Sequence, residues 1–382
     1  MLGLVYVRKR VGGLKLDDLP GLEALQVPGM SDGQTKVIRE GDNVVDGPDD
    51  NLRRPVLDGI EYDYVFDVDI GDGEPIRKLP YNRSASAYIP GATSRMSAAV
   101  SAKPTFKHIP KKGVLVFDMA QFDGILKKIT EFNNALLSDP ENKNLSLTEL
   151  EFSRLGAIIK VMKDTSHYHS SKLADVDIAL LLKLLKSWPL AMIFPVIDIL
   201  RMTVLHPDGV TVLLKHVEAE NGVLSEIIKK VTTNPSIPAN LLTSIRAVTN
   251  LFKNSCFYNW LQKHRSEILD AFSSCYSSPN KNLQLSYSTL ILNYAVLLIE
   301  KKDQEGQSQV LSAALVIVEE ENLEVDSKFR VLVAIGSLML DGLVRKIALD
   351  LDVEDIAKAA KASKDAKIAE VGADIELLTK QS

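Results

Sequence analysis

Four polar residues stand inside otherwise apolar helical stretches: Arg201 in IDILRMTV, Arg246 in LTSIRAVTN, Asn293 in TLILNYAV and Arg330 in SKFRVLVAI. Each follows a Leu, Ile or Phe, and successive members are 45, 47 and 37 residues apart. A guanidinium is planar, permanently charged and presents its donors in a fixed fork, while an amide both donates and accepts. A row of such groups suits the backbone carbonyls, carboxylates and aromatic side chains of an extended peptide. The spacing is close to the roughly 40–47-residue period of armadillo and HEAT units, in which each unit gives one helix to the concave side and equivalent positions fall into line. On this reading the arginines form a ladder along a groove that binds an acidic peptide. A plainer reading stays open: the arginines lie on polar helix edges with their stems snorkelling past the core, or pair with acids such as Asp198 or Asp326.

Other candidate chemistry is weaker. Asp67, Asp69, Gly71, Asp72, Gly73 and Glu74 resemble the start of a calcium loop, but position twelve, which needs a bidentate Glu, is Lys78. His167-Tyr168-His169 has no carboxylate or cysteine at ligand spacing and reads as a solvated break. Cys256 and Cys275 lie outside any CxxC or Cys/His cluster and are expected to be small buried hydrophobes. Trp188 and Trp260 are expected to pack the core or join repeats. GxSxG, HExxH, Walker and GxGxxG patterns do not occur. No enzyme, cofactor or metal is expected.

The elements that must position the ladder begin near residue 106. Residues 1–57 are rich in Gly, Pro and Asp and lack periodicity, and 85–105 are Ser-, Ala- and Pro-rich, so both read as flexible linkers. Between them, in 58–84, Tyr62, Tyr64, Phe66, Val68 and Ile70 alternate with partners such as Glu61, Asp63 and Asp67. That pattern predicts a strand, a turn at Gly71-Asp72-Gly73 and a second strand over 76–79. Over 106–378 long helical patterns alternate with short polar breaks, and Pro189, Pro207, Pro235, Pro238 and Pro279 fall at the breaks. Ser146 to Glu149 reads as a capping box for a helix ending near Lys163, with Leu150, Leu155, Ile158, Ile159 and Met162 on one face. An all-α, right-handed, armadillo-like solenoid follows, preceded by a short β-hairpin.

The chain's 382 residues, 46% hydrophobic and 25% charged, suffice for a large core, and the net charge of −5 provides no basic surplus for a phosphate backbone. Nucleic acid is therefore not the expected partner. The apolar run at the N-terminus stops at Arg8-Lys9-Arg10, so no secretion signal is expected. The window from 178 to 200 is interrupted by Lys183, Lys186, Pro189, Pro195 and Asp198 and reads as two buried helices, not a membrane span.

FPVIDILRMTVLHP, IPANLLTSIRAVTNLFKN, NKNLQLSYSTLILNYAVLL and VDSKFRVLVAIGSLM resemble the PUL domain of the phospholipase A-2-activating protein family. The resemblance spans 106–378. It implies six armadillo-like repeats and a non-enzymatic role in ubiquitin recycling, in the cytoplasm and nucleus. It also implies a basic concave groove for the acidic C-terminal tail of the AAA ATPase valosin-containing protein. Arg201 and Arg330 fall on the two arginines that the family uses for that tail; Arg246, Asn250 and Asn293 join them by repeat alignment. The alternative is a generic armadillo-type scaffold for another acidic partner. DGIEYDYVFDVDIGDGEPIRKLPYNRS resembles the start of the family's PFU domain, a ubiquitin-binding module. Here the chain runs from Arg83-Ser84 into linker without the helical part of that module, and the family's WD-repeat propeller is missing too. A fragment or splice product is therefore expected, with ubiquitin binding weak or absent, because a lone hairpin is marginal in water.

Overall fold

In the computed structural model the described residues are 105–381, apart from 220–221 and 234–236, together with a two-residue antiparallel ladder in which Val56–Leu57 pairs with Ile60–Glu61. The strands expected over 62–70 and 76–79 lie outside the described residues, as do the possible calcium loop and the expected linkers apart from residues 56, 57 and 105.

From residue 122 the chain is helical and arranged in two layers. The inner layer comprises α1 (Phe122–Ser138), α4 (Phe194–Thr203), α7 (Pro238–Leu251), α10 (Lys281–Glu300), α12 (Val325–Leu338) and α15 (Ala366–Thr379). Each packs on the next in that order, and together they make a six-step stack. Between them run α2 (Glu149–Lys163), α3 (Asp175–Ser187), α5 (Pro207–Ala219), α6 (Val223–Thr232), α8 (Tyr258–Lys263), α9 (Arg265–Ala271), α11 (Gln304–Val318), α13 (Gly342–Asp350) and α14 (Val353–Lys361). The expected all-α solenoid is the fold observed. Its inner helices are enclosed on nearly every side: all ten residues of α4 are buried, and most of α7, α10 and α12. A helix with neighbours all round has apolar residues all round, and this is why these stretches show so little polar stripe. By length and composition α10 could cross a membrane, but 78% of its apolar window is buried inside the protein, which makes it a core helix.

Prolines start elements where expected: Pro238 and Pro207 are the first residues of α7 and α5. The cap of α2 differs from expectation. Thr148 is the N-cap and Glu151 closes the box, the Glu151 carboxylate accepting from Thr148 N at 2.9 Å and Thr148 Oγ1 from Glu151 N at 3.2 Å. Ser146 instead ends the preceding 3-10 turn. Leu150, expected on the core face, is 72% exposed because it lies about 140° round the helix from Leu155, while Leu155, Ile158, Ile159 and Met162 are buried. Cys275 is buried, with its thiol pushed up to about 12 by burial, but Cys256 lies exposed at a turn before α8. Trp188 is core, its ring N–H donating to Leu145 O at 2.9 Å; Trp260 is half-buried and stacks on His264.

Candidate peptide-binding site

The inner face of the stack is not open. Residues 105–121, without regular secondary structure, run along it from α15 back to α4 as a strap. Asp374 of α15 accepts the backbone N–H groups of Lys107 at 2.9 Å and His108 at 2.7 Å, and Glu370 accepts from Lys107 Nζ and meets His108 Nε2 at 2.8 Å. Ile109 is buried against Gly336 and Ile375, and Ser337 Oγ of α12 accepts from Lys111 N at 3.0 Å. Asn293 of α10 then takes both main-chain groups of Leu115: its Oδ1 accepts the N–H at 2.8 Å and its Nδ2 donates to the carbonyl at 2.7 Å. Asn250 of α7 does the same for Phe117, at 2.7 and 2.9 Å. The amide ladder thus reads main chain at every second residue, as one face of an extended strand requires.

The arginines divide the work differently from the single row expected. Arg201 is 1% exposed. Its Nε donates to Asp198 Oδ1 at 2.6 Å, its Nη1 donates to the Phe117 carbonyl, and its Nη2 donates to the Met119 carbonyl at 2.7 Å. The pairing with Asp198, one of the plainer alternatives, is therefore present, and the expected open groove at Arg201 is absent because the strap fills it. Arg246 lies 4.8 Å over the Phe117 ring and donates from Nε to Ser286 Oγ at 3.1 Å. Arg330 is buried; its Nη1 donates to Thr289 Oγ1 of α10. Burial pushes the Arg330 pKa down to about 10, with Asp326 and Glu324 acting through space in the opposite sense. The guanidinium of Arg201 does not lie next to that of Arg330: α7 and α10 separate their helices.

Ser337, Asp374 and the strap itself were missed by reading the sequence. Aligning the ladder on Asn250 instead of Arg246 gives steps of 43 to Asn293 and 44 to Ser337, more even than the 47 and 37 obtained through Arg246. That regularity was available in the sequence. Arg246 and Arg330 lie off the amide row, on the Phe117 ring and on Thr289.

A stack of helices whose inner face holds an extended segment by its main chain defines a helical-repeat, peptide-holding domain. Residues 109–374 match the PUL domain, and the chain belongs to the PUL-domain family. Residues 41–93 match the PFU (PLAA family ubiquitin binding) domain. The chain is 26% identical to phospholipase A-2-activating protein of Xenopus laevis, the alignment covering 94% of this chain and 57% of that protein. It is 23% identical to ubiquitin homeostasis protein lub1 of Schizosaccharomyces pombe, over 86% and 50% of the two chains. To protein DOA1 of Saccharomyces cerevisiae it is 25% identical, over 72% and 43%. The chain thus spans about half the length of the curated relatives it matches.

Proposed function

We propose that the chain is a non-enzymatic adaptor in ubiquitin-dependent protein turnover and ubiquitin recycling, working in the cytoplasm and nucleus. It docks on the acidic C-terminal tail of the AAA ATPase valosin-containing protein through the inner face of its solenoid. The observation that carries this reading is the ladder: Asn250 and Asn293 each hold the N–H and C=O of one residue of an extended segment, a mode of grip that leaves side-chain preference to the cations around it. Arg330 on the same face, whose buried Nε has no acceptor, supplies a preference for carboxylates. The names of the relatives support the setting, since one is a ubiquitin homeostasis protein and another an activator, not a hydrolase. Residues 41–93, which match the PFU domain, are where we propose ubiquitin contact, in place of the weak or absent binding expected from a hairpin at 58–84 alone.

Calorimetry of the full chain against the ATPase C-terminal tail peptide tests the docking. Saturable binding that weakens with salt is expected, and a flat titration removes the reading. An unrelated acidic peptide that binds as well as the tail points instead to a general scaffold for acidic partners. For the ubiquitin arm, labelled ubiquitin titrated with the chain should show saturable NMR shifts; unchanged spectra eliminate it.

A further inference from the structure

We infer that the uncovered outer face of α15, at the end of the stack, is the docking surface for the chain's own residues 41–93, held there by the short connection through 94–104. The inference does not depend on what residues 41–93 themselves bind.

Two faces of α15 are taken. Ile375 packs where Gly336 of α12 leaves room, and Gly372 lies against the backbone of Ala360 and Lys361 of α14. The third face carries Ala366, Glu370, Ala373 and Leu377, which at 100° per residue fall within about 60° of one another. Ala366 is exposed, Glu370 and Ala373 are half-buried, and Leu377 is 44% exposed. Every earlier inner helix has a successor packed on it, and α15 has none among the described residues. What does reach this face is the start of the strap, whose Lys107 and His108 side chains meet Glu370.

That contact fixes where the preceding chain joins the solenoid. The connection from residue 93 to residue 105 has 11 residues between its ends and spans at most about 40 Å fully extended. Six inner helices about 8–10 Å apart make a stack about 40–50 Å long. Residue 93 therefore cannot reach α1, and the uncovered face on which the strap begins is that of α15. A connection this short gives an effective concentration on the order of millimolar, so a contact too weak to hold two separate molecules suffices. The chemistry is complementary. The segment supplies Tyr62, Tyr64, Phe66, Val68 and Ile70 as apolar partners for the stripe, and its eleven Asp and Glu against five Lys and Arg give a net −6. Lys364 and Lys367, exposed at the start of α15, have no ion-pair partner among the described residues.

The test is made on the full chain. A photo-activated cross-linker, p-benzoylphenylalanine, placed at Leu377 should join to one or two peptides within 41–93, whereas the same group at Leu150, 72% exposed on α2, should not. Trypsin cleavage at Arg77-Lys78 follows the population of the open form, so a segment docked about two thirds of the time is cut about threefold more slowly than a released one. Leu377→Glu and, independently, Lys364→Glu/Lys367→Glu should each accelerate that cleavage while leaving the melting temperature unmoved, since all three side chains are exposed. Cross-links scattered over 94–104 with no preferred site in 41–93, or cleavage that neither variant accelerates, overturns the inference. Cross-links that join two differently labelled chains also overturn it, being the mark of a second copy on this face.

Discussion

Arg201 joins three groups at one guanidinium: a carboxylate one turn back and two main-chain carbonyls from a segment 82 and 84 residues earlier in the chain. Removing one partner of a buried ion pair leaves an uncompensated charge and typically costs about 3–5 kcal/mol. Arg201→Ala is therefore expected to lower the urea midpoint strongly, through Asp198 and the orphaned carbonyls of Phe117 and Met119. This reverses what an open groove implies, namely loss of ligand with little change in melting. His206 makes a second prediction. It occupies the N-cap position of α5, where Nδ1 accepts from Asp208 N at 3.2 Å and Gly209 N at 3.4 Å while Nε2 meets Ser171 Oγ at 3.0 Å. Burial holds its pKa below the ordinary 6.5, only partly offset by Asp208. Its contribution is complete above the unfolded value and declines as pH falls from there toward the folded one, because the unfolded chain takes up the proton first. Urea titrations above and below pH 6.5 should show this slope, and His206→Asn, which keeps an N-cap acceptor, should flatten it.

At the scale of elements, α14 and α15 approach so closely that Gly372 is obligatory. A Cβ there would lie 2.4 Å from Lys361 N and 2.8 Å from Ala360 C, both backbone atoms that cannot rotate away. Gly372→Ala should cost about 1–3 kcal/mol by overpacking and lower the melting temperature, even though alanine favours helices in general. Most helices were legible in the sequence because their breaks carry Pro and their caps carry Thr or Asp. Two features were misread for physical reasons. Ser146 and Thr148 are both competent caps two residues apart, and only the reach of Glu151 back to Thr148 decides between them. In α7, Arg246 and Asn250 sit one turn apart, so either could head the repeat; the strap settled it by bonding to the amide.

The strap itself was not legible at the scale of the molecule. Residues 106–121 have no period of their own, and their partners lie 82 to 267 residues away, beyond any local pattern. A solenoid is ordinarily held by neighbours alone; this strap adds bonds that skip repeats, from α15 to α4. A fragment of residues 105–382 should therefore melt in one transition at the temperature of the full chain. A fragment starting at residue 122 should melt lower and in a broader transition, as the buried Ile109 and Phe117 and the ladder bonds are lost together. Differential scanning calorimetry of the two fragments distinguishes these cases.

The anchoring of Lys107 and His108 to Asp374 also sets an order in time. On a ribosome the strap emerges before the helices that hold it, and Asp374 follows 267 residues after Lys107. At roughly 5–20 residues per second the strap waits on the order of 10–50 s for its final clasp. Through that interval the apolar run from Val114 to Phe117, with its main-chain groups unpaired, is open to any chaperone that binds extended segments. The domain is finished only when its last helix arrives to hold its first residues.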